Sequence, residues 1–152
     1  MAAQTTVLLS VRSIAFNTGG HIPAKFTCEG ENVNPPLEIS GAPQSTKTLA
    51  IIVEDPDAPR GVFYHWLVWN ISPNEPIDEN SLPGISGKNS FGKAGYAGPC
   101  PPSGTHRYFF KVYALDSTLD IEAGANKDAL EEAMYGHILA EGELMALYHK
   151  SK

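Results

Sequence analysis

Apolar positions along this chain recur mostly with a period of two rather than 3.6. Val7, Leu9 and Val11 alternate with Thr6, Leu8, Ser10 and Arg12, which predicts an edge or half-buried strand. Thr48 to Val53 is a short run rich in β-branched residues, as expected of a core strand. Phe63 to Ile71 and Arg107 to Leu115 are dense in aromatic and β-branched side chains, which suit a pleated, packed surface. Between these runs, Asn34-Pro35-Pro36, Asp55 to Gly61, Ser72 to Pro76 and Gly95 to Gly104 read as turns and loops. In one segment the period changes. Leu130, Ala133, Met134 and Ile138 share a helical face, Asn126 is placed to cap it, and Asp128, Glu131 and Glu132 sit early against the helix dipole. Gly136 is the expected stop, and His137 to His149 returns to a strand pattern. The pattern predicts a mostly β protein: a two-sheet antiparallel sandwich with one or two short helices, one of them near the C-terminus.

Composition narrows the function classes. The 152 residues suit one domain over 1–152, long enough to bury about two-thirds of the unfolded surface. The 14 glycines and 12 prolines are more than a helical bundle tolerates, since proline breaks helices and glycine weakens them. The net charge is −6, and Lys and Arg are scattered singly. No basic stripe is available for nucleic acid, and bulk attraction to an anionic membrane is equally unsupported. No apolar run approaches the ~20 residues that span a bilayer. Met1 to Val7 has no basic region followed by a long apolar one, so no signal peptide is expected. Cys28 and Cys100 are too few for a disulfide framework, which predicts a cytoplasmic protein with reduced thiols.

The strand period also predicts where polar groups converge. Ile51, Val53 and Asp55 share one face, as do Phe63, His65, Leu67, Trp69 and Ile71, and likewise His106, Tyr108, Phe110, Val112 and Ala114. Asp55 ends its strand, His65 lies near the start of the next, and His106 opens the third. Antiparallel pairing through loop 56–62, with the third strand entering at the same end, brings Asp55, His65 and His106 together. Two proline-rich loops frame that cluster, and proline lowers the entropy lost on ordering them. Such a pocket is preformed for a small phosphorylated or other anionic ligand, with imidazoles and loop amides as donors. Tyr108 either lines it or is core, Asp57 caps the Asp-Pro-Asp-Ala-Pro turn, and Arg107 faces away as an ion-pair partner. Two other chemistries fit less well. A hydrolase using Cys100 as nucleophile and His106 as base lacks a helix N-terminus to lower the thiol pKa. A metal site from His65, His106 and Asp55 lacks a short-spaced ligand pair such as His-x-His. No cofactor, metal or catalytic role is therefore assigned, and the chain reads as a binding protein.

Three segments also resemble a known family. Asp55-Pro56-Asp57-Ala58-Pro59, then His65-Trp66-Leu67-Val68-Trp69-Asn70-Ile71, then Gly98-Pro99-Cys100-Pro101-Pro102-Ser103-Gly104-Thr105-His106-Arg107-Tyr108 look like the signature segments of the phosphatidylethanolamine-binding proteins, which include the Raf kinase inhibitor proteins. Phe26 to Asn32 followed by Pro35-Pro36-Leu37 is similar as well, and the Gly-Pro-Cys-Pro-Pro form looks most like the bacterial and archaeal branch. The resemblance implies a β-sandwich whose anion cavity is lined by Asp55, His65, His106 and Tyr108, supported by Asp57 and the Pro101-Pro102 turn. It also implies a cis Ala58–Pro59 bond, a kinase or protease as protein partner, and a homodimer. Cys100 stands where animal and plant members commonly have glycine, so its side chain narrows the pocket.

Overall fold

The elements run in chain order β1 (Val7–Leu8), β2 (Ser10–Arg12), a 3-10 turn (Ala24–Phe26), β3 (Glu38–Ser40), β4 (Thr48–Asp55), β5 (Phe63–Ile71), β6 (Ile85–Ser86), β7 (His106–Leu115), α1 (Lys127–Met134) and β8 (Ile138–Tyr148). The computed structural model describes residues 7–150. Thr6 and the signal-peptide reading of the N-terminus lie outside the described residues. Six strands form one open sheet in the order β1-β8-β7-β4-β5-β6, and β2 pairs with β3 in a small second sheet. The pairings between these strands are antiparallel except β1 with β8, which is parallel and departs from the all-antiparallel expectation, and an isolated bridge from His21 to Leu147 is parallel as well.

The large sheet is covered on both faces. Ile51, Val53, Val68, Phe110 and Val112 pack towards Val11, Phe16, Ile22 and Leu37 on the side of the small sheet. Ala50, Ile52, Leu67 and Trp69 pack on the other side against Leu119 and against Leu130 and Met134 of α1. Double coverage explains why Thr48 to Val53 reads as a continuous apolar run instead of an alternation. The helix starts where expected: Asn126 Oδ1 accepts the Ala129 N–H at 2.9 Å. It ends before Gly136, which takes a left-handed φ of 82°. Ile138 consequently opens β8 rather than lying on the helix face.

The alternating run at the N-terminus is two strands, not one. β1 sits on the edge of the large sheet, the Leu9 N–H reaches the Glu141 carbonyl at 2.9 Å, and β2 then crosses to the small sheet. The crossing needs Gly142: a Cβ there would lie 2.3 Å from the Leu9 carbonyl oxygen.

Strand β5 breaks its period twice. Leu49 faces Ile71 but Ile51 faces Val68, so β5 has one extra residue there, near Asn70, which adopts a left-handed φ of 57°. Val53 faces Trp66 but Glu54 faces Tyr64, leaving His65 as the bulged residue. This second bulge corrects the face assignment made from alternation. Leu67 and Trp69 lie on the helix side, whereas Trp66 and Val68 join the opposite core. His65 stays on the Tyr108 side, its ring 5.4 Å from the Tyr108 ring. Among the described residues, no helix is long and apolar enough to cross a membrane.

Candidate anion-binding site

β4 ends at Asp55, and β7, its antiparallel neighbour, begins at His106, so the two meet at one end of the sheet. Asp55 and His65 are both 3% exposed. His106 Nδ1 lies 2.7 Å from Asp55 Oδ2. A carboxylate only accepts, so Nδ1 carries the proton and donates, leaving Nε2 of His106 for a ligand. Asp55 Oδ1 accepts the Asp57 N–H at 2.7 Å, which closes the turn after β4. His65 Nδ1 lies 2.7 Å from the Ala97 carbonyl and donates to it, so His65 also offers Nε2. Burial holds the His65 pKa below the ordinary histidine value.

Asp55, His65, His106, Tyr108, Cys100, Pro101 and Pro102 line one cavity of about 160 Å³. An engineered cavity of about 150 Å³ accommodates benzene, so this one matches a small head group. The sequence reading brought these residues together, and the structure places them so. It missed Ala58, Pro59, Phe63 and Phe91, which complete the wall. Phe91 packs edge-on against Phe63 with centroids 4.7 Å apart and remains half exposed. A lone aromatic in the polar segment Asn89-Ser90-Phe91-Gly92-Lys93 is the signal that marked it.

Tyr108 is fully buried, and its hydroxyl makes no well-formed hydrogen bond, although the Asp55 carboxylate lies within weak hydrogen-bonding reach. Burial, followed by the charge of nearby Asp55, raises its pKa, so the group remains a neutral donor. Asp57 supports the cavity from outside. Its carboxylate accepts from Arg107 Nε, Arg107 Nη2 and the Arg107 backbone N–H, each at 2.9 Å. The guanidinium holds the Asp57 carboxyl at about 2, well below the usual carboxylate range. This clamp ties the loop after β4 to the start of β7. All peptide bonds among the described residues are trans, so Ala58–Pro59 departs from the cis form that the resemblance implies.

The cysteines depart from the reduced-thiol expectation. Cys28 and Cys100 form a disulfide across a sequence separation of 72, with Cα atoms 5.5 Å apart. The loops that carry them are held together independently. The Cys28 N–H donates to the Pro99 carbonyl at 3.1 Å, the Gly98 N–H to Asn32 Oδ1 at 2.7 Å, and the Tyr96 hydroxyl to the Phe26 carbonyl at 2.7 Å. A Cβ at Gly98 would lie 2.1 Å from the Phe26 carbonyl oxygen, so only glycine permits the approach. The bond removes the free thiol that a Cys100–His106 hydrolase requires, and with it the argument from thiols for a cytoplasmic location. Cys100 still lines the cavity as expected. Among the described residues, no three His, Cys, Asp or Glu side chains are placed to hold a metal ion. Of the remaining histidines, His137 Nδ1 pairs with Asp116 at 2.8 Å, and His21 and His149 contact each other edge-on.

Known proteins resemble this chain over nearly its whole length. A UPF0098 protein of Methanothermobacter thermautotrophicus is 47% identical over 150 residues, covering 93% of this chain and 99% of its own. A putative phosphatidylethanolamine-binding protein homologue of Chlamydia trachomatis superposes with a TM-score of 0.91 at 43% identity, covering 95% of this chain and 99% of that one. Escherichia coli YbcL, described as a member of the mammalian PEBP family, gives 0.86 at 30% identity, with 94% and 99% coverage. The profile of the phosphatidylethanolamine-binding proteins matches residues 12–149, a span that takes in β3 to β8 and every residue lining the cavity. With the family profile, a relative of 47% identity and a superposable solved structure in agreement, the chain belongs to the phosphatidylethanolamine-binding protein family.

Proposed function

We propose that the protein binds a small phosphate-bearing molecule in the cavity at the end of the large sheet, as a binding module rather than an enzyme. The observation that carries this reading is the Tyr108 hydroxyl, buried without a well-formed hydrogen bond in the wall of a cavity that two histidines share. Burying an unpaired hydroxyl costs about 1–3 kcal/mol, and a ligand oxygen recovers that cost on binding. The donors are complementary to a phosphate monoanion. His106 Nε2 donates as an imidazolium whose charge Asp55 balances, and the Tyr108 hydroxyl donates as a neutral group. His65, held neutral by burial, accepts through Nε2 from the remaining P–OH. The Asp55 carboxylate spends its oxygens on His106 and on the Asp57 N–H. The prolines of the two loops contribute preorganisation, so little loop entropy is lost on binding.

Tyr108→Phe is the direct test. The unliganded variant should be more stable than wild type by roughly 1 kcal/mol, because an unsatisfied polar group is gone. Its affinity for O-phosphorylethanolamine or inorganic phosphate should fall about fivefold to tenfold. Unchanged affinity for both would refute the reading.

A further inference from the structure

A second cavity of about 440 Å³ lies beside the first, and the two share Phe91 and Cys100 in their walls. Its side chains divide into groups already engaged and groups still free. Asn89 accepts the Phe91 and Lys93 N–H groups and donates to the Gly95 carbonyl, so it is spent on shaping its own loop. Tyr96 donates to the Phe26 carbonyl, and Cys28 and Cys100 are joined to each other. Two donors remain. Asn32 gives Oδ1 to the Gly98 N–H, which leaves its Nδ2 unpaired, and a left-handed φ of 61° fixes its place. Lys93 has no ion pair among the described residues. No carboxylate lines this cavity, and from Ser81 to Leu115 the chain carries no Asp or Glu, although its net charge is −6.

A wall whose free side-chain chemistry is an ammonium and an amide N–H₂ fits an anionic group. We infer that the two cavities form one bipartite site: a phosphate occupies the smaller, and a second anionic group of the same ligand occupies the larger, beside Lys93 and Asn32. The Phe91 ring and the Cys28–Cys100 disulfide divide them. The ligand class is therefore a phosphate monoester carrying a second negative charge on a linker long enough to pass Phe91. This rests on the phosphate reading of the smaller cavity and adds a specificity-determining residue, Lys93, outside it. Joining the two groups makes the second contact intramolecular, so affinity gains without any change at His106.

The experiment is calorimetric titration of the wild-type protein, disulfide intact, with inorganic phosphate, with butyl and hexyl phosphate, and with butane-1,4-diyl and hexane-1,6-diyl bisphosphate. At least one bisphosphate should bind fivefold or more tightly than the monophosphate of equal length, beyond the about twofold that two equivalent phosphates give by counting alone. Lys93→Gln should abolish that gain and leave the affinity for inorganic phosphate within twofold, and Lys93→Arg should keep it. A smaller gain, or one that survives Lys93→Gln, overturns the bipartite site while the phosphate pocket stands. No saturable binding of phosphate to the wild type would overturn the pocket and this inference together.

Discussion

Asp55→Asn separates charge from geometry in the pocket, because it replaces one carboxylate oxygen by an amide of nearly the same size. In the wild type the Asp55 carboxylate fixes the His106 proton on Nδ1 at 2.7 Å. Nε2 then carries a proton only in the imidazolium, so an anion that takes a hydrogen bond from it brings a proton with it. In the variant, Oδ1 keeps the Asp57 N–H while Nδ2 faces His106. Nδ1 becomes an acceptor, and the proton of the neutral ring moves to Nε2. The variant therefore donates to phosphate at any pH, but from an uncharged ring, so the contact loses the attraction between two opposite charges. That attraction is about 1 kcal/mol at 4 Å in water and larger where the site excludes water. A difference of about 1.4 kcal/mol is tenfold in affinity. At pH 6, Asp55→Asn should bind phosphate about tenfold more weakly than wild type. Only the wild type needs a charged ring to donate, so its advantage shrinks as pH rises and the two curves converge. Calorimetry in two buffers of different ionisation enthalpy counts the protons taken up. Ligand titration is common to both proteins, so the variant should take up fewer protons than the wild type. Equal proton uptake together with parallel affinity curves would refute the assignment of the donor to a charged His106.

Three further outcomes follow from the same geometry. Replacing both Cys28 and Cys100 by serine opens a loop with a sequence separation of 72, whose closure contributes about 4 kcal/mol in the chain-entropy treatment; thermal unfolding should fall by roughly 10 °C, and an unchanged midpoint would rule the bond out as a structural tie. Burial lowers the folded-state pKa of His65 below its unfolded value, so the unfolded chain binds more protons between the two; stability without ligand should rise with pH up to about 6.5 and then level off, and in denaturant titrations His65→Gln should lose that part of the slope. Asp57→Ala removes three hydrogen bonds to Arg107, of which the pair is partly solvent-exposed; it should cost about 1 kcal/mol of stability and lower phosphate affinity through a looser loop, and wild-type values of both in chemical denaturation and titration would contradict the clamp.

Much of the site was legible because antiparallel pairing is local. A strand that ends in Asp55 and its hairpin partner that starts near His65 must meet at one end, and an aromatic strand opened by His106 has few other places to pair. What alternation could not supply is the bulge at His65. It adds a residue without any proline or glycine to mark it, so Leu67 and Trp69 move to the helix side while His65 keeps its ring beside Tyr108. The break at Asn70 is partly legible, since asparagine tolerates the left-handed region better than most residues. The disulfide is a contact between two loops, and no periodicity reports loop proximity. Its trace in the sequence is Gly98, whose missing side chain lets residues 26–28 approach, but a glycine alone does not name its neighbour. The split of the first strand has the same origin, in the contact between Leu9 and Gly142 from opposite ends of the chain. The family resemblance reached Asp55, His65, His106 and Tyr108 correctly as cavity-lining residues, and its cis Ala58–Pro59 bond is the feature this chain lacks.

The most direct measurement is titration of ¹⁵N-histidine-labelled protein with O-phosphorylethanolamine, followed by the imidazole nitrogen and carbon-bound proton signals of wild type and His106→Ala. Saturable shifts confined to His65 and His106, with His21, His137 and His149 unmoved and the His65 shift lost or strongly weakened in His106→Ala, are the predicted result. Absence of saturable shifts in the wild type, or the same weak perturbation in both proteins, would contradict a phosphate site between these two histidines.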